Sequence, residues 1–413
     1  MPILRPLALS VSLVAPLCAQ SAFPAPTLET ALNSASIDAN PHLSFDGLTL
    51  YFESNRAGGA GGQDLWFSTR PYIGGPWSQP ILEAALSTGS SDGAPFLDLT
   101  GTELLWNSNQ TGSQGVDIWR ATRAAPGLPW NPPQPVTERN SSGGELQFSM
   151  TLDGLECFFL TTGWGNPGGA NNSIYTATRS SSGSPWGTPT LVAELYNGNT
   201  HRDCEISPDG QEIVYTEFSA SRLRVFAAQR PDRSSPFGTP VLWTEFDNVG
   251  TLSGVFGVTL SRQRDEIVLG AGFAVAAGNQ ELLRARRSVR YGVGCGGAAP
   301  LELAGNAPTL GSSWQLDTTQ IETSSPIAIT LIGGAPTALP LAGLGAPGCT
   351  QYVDFVLATV VLLNNGGVAS LPVAIPNATA FAGLAFWAQS AALTSSNSLG
   401  VAFSPGLLGV VGG

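Results

Sequence analysis

Charge is scarce in this 413-residue chain, where Asp, Glu, Lys and Arg together make up only 12% of the residues. Lysine and arginine number 18 against 30 acids, giving a formal charge of -12. With no basic tract, the chain lacks the cationic footprint a nucleic-acid partner requires. The only histidines, His42 and His201, lie far apart and make no metal site by themselves. The five cysteines show no CxxC spacing, which argues against structural zinc and thiol redox chemistry. No serine is framed as G-x-S-x-G, so no acyl-transfer set can be assembled. The loop Ala57 to Gly62 (AGGAGG) lacks both Gly-Lys-Ser/Thr and a following helix, so it is no phosphate cradle. Apolar runs are short: Tyr352 to Leu363 is too brief to span a bilayer.

Glycine (50) and proline (31) are abundant instead, with ten tryptophans. Short runs of Val, Ile, Leu, Phe, Tyr and Trp alternate with Gly, Pro, Asn, Asp and Ser, which reads as β throughout. Between Phe23 and Arg287 one unit recurs about every 50 to 56 residues, a period of propellers and arrays. Pro41 to Pro80 is its clearest copy. Asp46-Gly47 marks a tight turn, repeated as Thr100-Gly101, Asp153-Gly154 and Asp209-Gly210, with Gln263-Arg264 in the fifth copy. An aromatic–x–x–Pro element ends four copies, as Trp77/Pro80, Trp130/Pro133, Trp186/Pro189 and Phe237/Pro240. The fifth copy lacks it, and Phe23/Pro26 stands before the first. That offset predicts that the segment from Ala22 to Leu32 pairs with Glu281 to Arg287 and closes a ring, leaving no open edge between first and last repeats.

Residues 1–19 read as a secretory signal peptide: one basic residue, Arg5, then an apolar run and Ala19 before Gln20. The competing reading is a lipid anchor on Cys18, which needs a small residue at Leu17. The expected mature chain is exported, to the periplasm, cell surface or medium, with no transmembrane anchor.

The Pro41 to Arg56 pattern P-x-x-S-x-D-G-x-x-L-Y-F-x-S-N-R, followed by Asp64-Leu65-Trp66 and Trp77/Pro80, resembles the bacterial WD40-like repeats of TolB-type β-propellers. The resemblance implies a propeller over residues 20–287 and no particular activity. Five copies imply five blades, with the six blades usual for TolB-like proteins as the alternative. Residues 288–413 differ, with almost no charge and strand-like apolar pieces, and read as a β-sandwich-like domain. Tyr291 to Cys295, Pro308 to Gly311, Leu339 to Cys349 and Trp387 to Gln389 resemble a C-terminal β domain of exported planctomycete-type proteins. Asn364-Asn365-Gly366-Gly367 is a hairpin-turn signal after Leu363. Cys295 and Cys349, in one domain of an exported chain, are expected to form a disulfide. Cys157 and Cys204 are either bridged between neighbouring repeats or are two buried thiols.

Acids recur eight residues before the turns, as Asp38, Asp92 and Glu145, with His201 in the fourth copy and Asp203 close by. Such a ring could bind a cation such as calcium, a sugar or a protein, or supply glycosidase carboxylates. Equally, short acidic side chains bond backbone amides between strands. Trp164, in a glycine-rich loop, is either a sugar-stacking platform or loop packing. Arg56 is placed to pair with Asp64. The expected function is non-enzymatic binding or scaffolding with a protein or polysaccharide ligand, and no catalytic residue, metal ligand or oligomeric state is assigned. The alternative is a glycoside hydrolase or other carbohydrate-active enzyme.

Overall fold

The computed structural model describes residues 23–247, 249, 254–272, 280–296 and 299–412. The expected leader, residues 1–19, lies outside them, as does Cys18. The described chain is almost wholly β and divides into two compact units. One gathers residues 22–287 with 377–383 and 411–413; the other gathers 288–376 and 384–410.

The first unit holds five four-stranded antiparallel sheets. Sheet I comprises Asp38–Leu43, Thr49–Ser54, Asp64–Thr69 and Ile81–Leu82. Sheet II comprises Asp92–Leu97, Glu103–Ser108, Asp117–Thr122 and Gln134–Pro135. Sheet III comprises Glu145–Met150, Glu156–Thr161, Ser173–Thr178 and Thr190–Leu191. Sheet IV comprises His201–Ile206, Glu212–Ser219, Arg222–Gln229 and Val241–Leu242. Sheet V comprises Val255–Leu260, Glu266–Gly272 and Gln280–Arg286, and takes its fourth strand, Thr27–Leu28, from before sheet I. The first strand of each sheet packs on the first strand of the next, and that of sheet V returns to sheet I.

The turns do what their residues dictate. Gly47, Gly101, Gly154 and Gly210 all take left-handed φ near +70° at the same position. The fifth turn places Arg264 there, at φ 60°, a conformation ordinary side chains adopt rarely. Asp46, Asp153 and Asp209 each accept a bond from the hydroxyl two residues before and the amide two residues after.

Each sheet is locked by an arginine that follows its third strand. Nε of Arg70, Arg123, Arg179 and Arg230 donates to the carbonyl of Gly47, Gly101, Gly154 and Gly210, and Nε of Arg287 donates to that of Arg264. The guanidinium then lies over an aromatic ring: Trp77, Trp130, Trp186, Phe237 and, for Arg287, Phe23, at 4.0–4.6 Å from the ring centroids. Phe23 thus serves sheet V as Trp77 serves sheet I. It is buried against Trp243 and Phe246. Thr27 pairs with Arg284 and Leu28 with Leu283, as the displaced aromatic–x–x–Pro element predicts. Closure is reinforced where Glu266 of sheet V makes a two-pronged bond to Arg70 of sheet I, both side chains fully buried.

The second unit contains a six-stranded antiparallel sheet ordered Val289–Tyr291, Gly406–Val410, Ala385–Leu393, Ile327–Pro340, Thr350–Leu363, with Val401–Phe403 beside Ala385–Leu393. A three-stranded sheet holds Glu302–Gly305, Ser313–Thr319 and Ala369–Ala374. Cys295 and Cys349 are disulfide-bonded within a core that includes Leu301, Ile321, Ala328 and Leu341. The chain does turn at Asn364 to Gly367, where Gly366 and Gly367 both have positive φ. The flanking strands do not pair as a hairpin, however, because Thr350–Leu363 stays in the larger sheet and Ala369–Ala374 joins the smaller.

Candidate functional site

The recurring acids are consumed by their own loops. Asp38, Asp92 and Glu145 are completely buried. Each accepts from the amide and hydroxyl of the residue four positions upstream: Ser34, Thr88 and Ser141. Ser54 and Thr161, on the adjacent strand, bond Asp38 and Glu145 as well. Arg56 pairs with Asp38 rather than with Asp64, whose carboxylate instead holds the amides of Ala60 and Gly61. In sheet IV the arrangement is inverted. His201 faces Glu217 of the neighbouring strand, at 3.7 Å, and Glu217 is held by Asn197 and Asn199. Burial lowers the His201 pKa. Sheet V has Val255 opposite Ala271, without a polar pair.

Trp164 is likewise occupied. Its indole N–H donates to the Arg139 carbonyl at 2.9 Å, and its ring packs on the sheet III core with Trp186. Cys157 and Cys204 are free, buried thiols, and burial pushes the Cys157 thiol up to about 12.

Asp203 belongs to a different set, the polar side chains that fasten one sheet to the next. Its carboxylate accepts from the amides of Cys204 and of Val258, the latter in sheet V. Glu53 of sheet I reaches the Ala94 amide of sheet II, and Glu205 of sheet IV the Leu260 amide of sheet V. The Leu43 amide donates to Thr259 Oγ1, joining sheet I to sheet V. All five first strands carry a bulge, and Ala94 lies in that of sheet II, whereas Cys204, Val258, Leu260 and Leu43 stand at regularly paired positions. Desolvation raises the Asp203 carboxyl to about 7 and that of Glu205 to about 8, and raises Glu53 too.

Where the first strands run into their turns there is a small open concavity of about 40 Å³. Phe45, Phe96, Leu97, Leu99, Met150 and Leu260 give it apolar walls, with Arg262 at 4.3 Å over the Phe45 ring. Its polar side chains are His42, Ser44, Glu205 and that same Arg262. His42 Nε2 lies 3.1 Å from the Leu97 carbonyl and so carries the proton, leaving Nδ1 to face Glu205 at 3.9 Å. Burial lowers His42 to about 4 while Glu205 is raised, so at neutral pH this is a contact between two uncharged groups and not an ion pair. Among the described residues no group of three His, Cys, Asp or Glu is placed to hold a metal ion. Nothing in the sequence gives a reason to expect Glu205 beside His42. Glu205 lies four residues past His201 and outside the eight-residue spacing.

No family model and no curated protein matches the chain. Among solved structures it is similar to a putative TolB from Agrobacterium tumefaciens, at 12% identity over 85% of this chain and 97% of that one, TM-score 0.38. It is similar to a thermostable family-43 glycoside hydrolase at 13% identity over 63% of this chain and 91% of that one, TM-score 0.41. A GH62 hydrolase solved with xylotriose shares 8% identity over 64% of this chain and 96% of that one, TM-score 0.41. At these scores the likeness carries no argument for binding or for hydrolysis. The chain's own geometry defines an all-β protein with a closed set of four-stranded sheets. No helix among the described residues is long and apolar enough to cross a membrane.

Proposed function

We propose that the protein is an exported binding or structural module: a five-bladed β-propeller followed by a β-sandwich-like domain, with no hydrolytic activity. One observation carries the reading: Asp38, Asp92 and Glu145, the acids that recur at a common register, are buried and tied to the loop residue four positions upstream, and of their six carboxylate oxygens Oδ1 of Asp92 alone has no partner among the described residues. The ligand is then received by the concavity around His42, Phe45 and Glu205, whose walls are largely apolar and which also carries the Arg262 guanidinium. That surface suits a partly apolar ligand group with a hydrogen-bond acceptor for Arg262, as offered by a protein side chain or a polysaccharide. The leader-like start and the Cys295–Cys349 disulfide support export.

Calorimetry of residues 20–413 against a panel of cell-wall and algal polysaccharides, with calcium as a separate titrant, tests the reading. Asp92→Asn and Glu145→Gln should bind as the parent does, whereas Phe45→Ala should weaken binding at least tenfold. No glycan should be cleaved. Cleavage that Glu205→Gln abolishes would make the protein a carbohydrate-active enzyme, and saturable calcium binding lost in Asp92→Asn would return the acids to the site.

A further inference from the structure

We propose that the Thr350–Leu363 strand is a self-association edge, through which two copies of this chain pair antiparallel about a two-fold axis and join their six-stranded sheets into one. The strand is the last in its sheet and 14 residues long. At a rise of about 3.4 Å per residue it offers more than 40 Å of ladder. Its partner, Ile327–Pro340, lies on one side only, so the other side presents backbone donors and acceptors to a further strand.

The protections of this edge, the charge of Asp354 and two irregularities of register with Ile327–Pro340, fall outside its last six residues, Ala358 to Leu363. Natural edges carry lysine, proline, inward charges or a short length. From Val356 to Leu363 this strand has no charge and no proline. Val356, Leu357, Val361 and Leu363 are 46%, 55%, 60% and 80% exposed. Cross-strand pairing sets Ile327 beside Leu363 and Ile329 beside Val361, which widens the apolar strip on one face. A contiguous exposed apolar strip of this kind marks a contact surface.

The occupant follows from charge and symmetry. The whole chain carries a formal charge of -12, so two copies repel over most of their surface. Residues 288–413 hold only five charged side chains, Arg290, Glu302, Asp317, Glu322 and Asp354. The exposed stretch of the strand is therefore where a second copy meets the least repulsion. A two-fold axis sets the strand against its own reverse, so uncharged Val, Leu, Ala and Thr oppose one another and no like charges are apposed between Val356 and Leu363. A basic or acidic partner finds nothing complementary there.

Sedimentation of residues 20–413 across micromolar concentrations tests the proposal. The parent should be a concentration-dependent dimer. Val361→Lys and Thr359→Pro should each raise the dimer dissociation constant at least tenfold, with unchanged circular dichroism showing that the fold survives. Cysteines placed singly from Leu357 to Val361 supply a second readout. The native thiols are buried and Cys295–Cys349 is bridged, so an oxidised dimer should form at the residue nearest the axis and fade on either side. A parent that stays monomeric, a dimer indifferent to both substitutions, or a monomer that instead partitions onto phosphatidylcholine vesicles overturns the proposal.

Discussion

Glu205 is the residue whose state most clearly depends on the fold. Its carboxyl is raised from about 4.5 unfolded to about 8 folded, so between those values the native chain holds a proton that the unfolded chain has lost. Stability then declines as pH rises through that window. Asp203, raised to about 7, acts in the same direction. His42, lowered to about 4 from 6.5, acts oppositely, but only below 6.5. From pH 6.5 to 8 the carboxyls therefore dominate, and the parent should melt at lower temperature as pH rises. Glu205→Gln keeps the acceptor for Leu260 and loses the titration, so its Tm should fall less over the same range. The difference should approach about 1.4 kcal/mol per pH unit for a single group. Parallel pH slopes in parent and variant would show that Glu205 titrates normally.

At the scale of elements, the turns and the aromatic–x–x–Pro units were legible because both are local. Aspartate with glycine names a turn whatever surrounds it. The missing element after the fifth repeat and its surplus copy at Phe23 told where the chain closes. The arginine clasp is not legible in the sequence, although Thr69-Arg70, Thr122-Arg123 and Thr178-Arg179 recur at the same register. A basic residue at a strand end reads as solvated until the ring above it and the carbonyl below it are seen. The acids were found at the right register, but their role depended on Ser34, Thr88 and Ser141 four residues upstream, a spacing present in the sequence and not used. Asp203 and Glu205 carried no such signal, because their partners, Val258 and Leu260, are amides of another sheet. The clasp makes a prediction at this scale. Phe23→Ala removes a buried ring and should cost about 3–5 kcal/mol in urea unfolding. Glu266→Ala should cost a similar 3–5 kcal/mol, since it strands the buried Arg70 guanidinium. An effect of either substitution below about 1 kcal/mol would mean the clasp contributes little to closure.

For the whole molecule, closure should govern cooperativity. Deleting residues 21–35 removes the fourth strand of sheet V, the Phe23 ring and the Asn33 side chain that brackets Leu282. The truncated protein should unfold at lower temperature and over a broader transition, measured by calorimetry. Melting identical to that of the full chain would show that the five sheets hold without their joint.

That joint also sets an order of events in time. Thr27 and Arg284, which it brings together, stand 257 positions apart, and one of them is made near the start of synthesis and the other long after. Phe23 has no ring-mates to dock on until Trp243 and Phe246 have been made, and no guanidinium above it until Arg287 has followed. Sheets I to IV form from contiguous segments and can assemble as they emerge; sheet V has to wait, then recover its fourth strand from the far end of the chain. Contacts of such separation are slow to form because a long loop is closed before anything rewards it. The nascent chain therefore has a long interval in which it is locally folded and globally open, and the last contact it makes is with its own beginning.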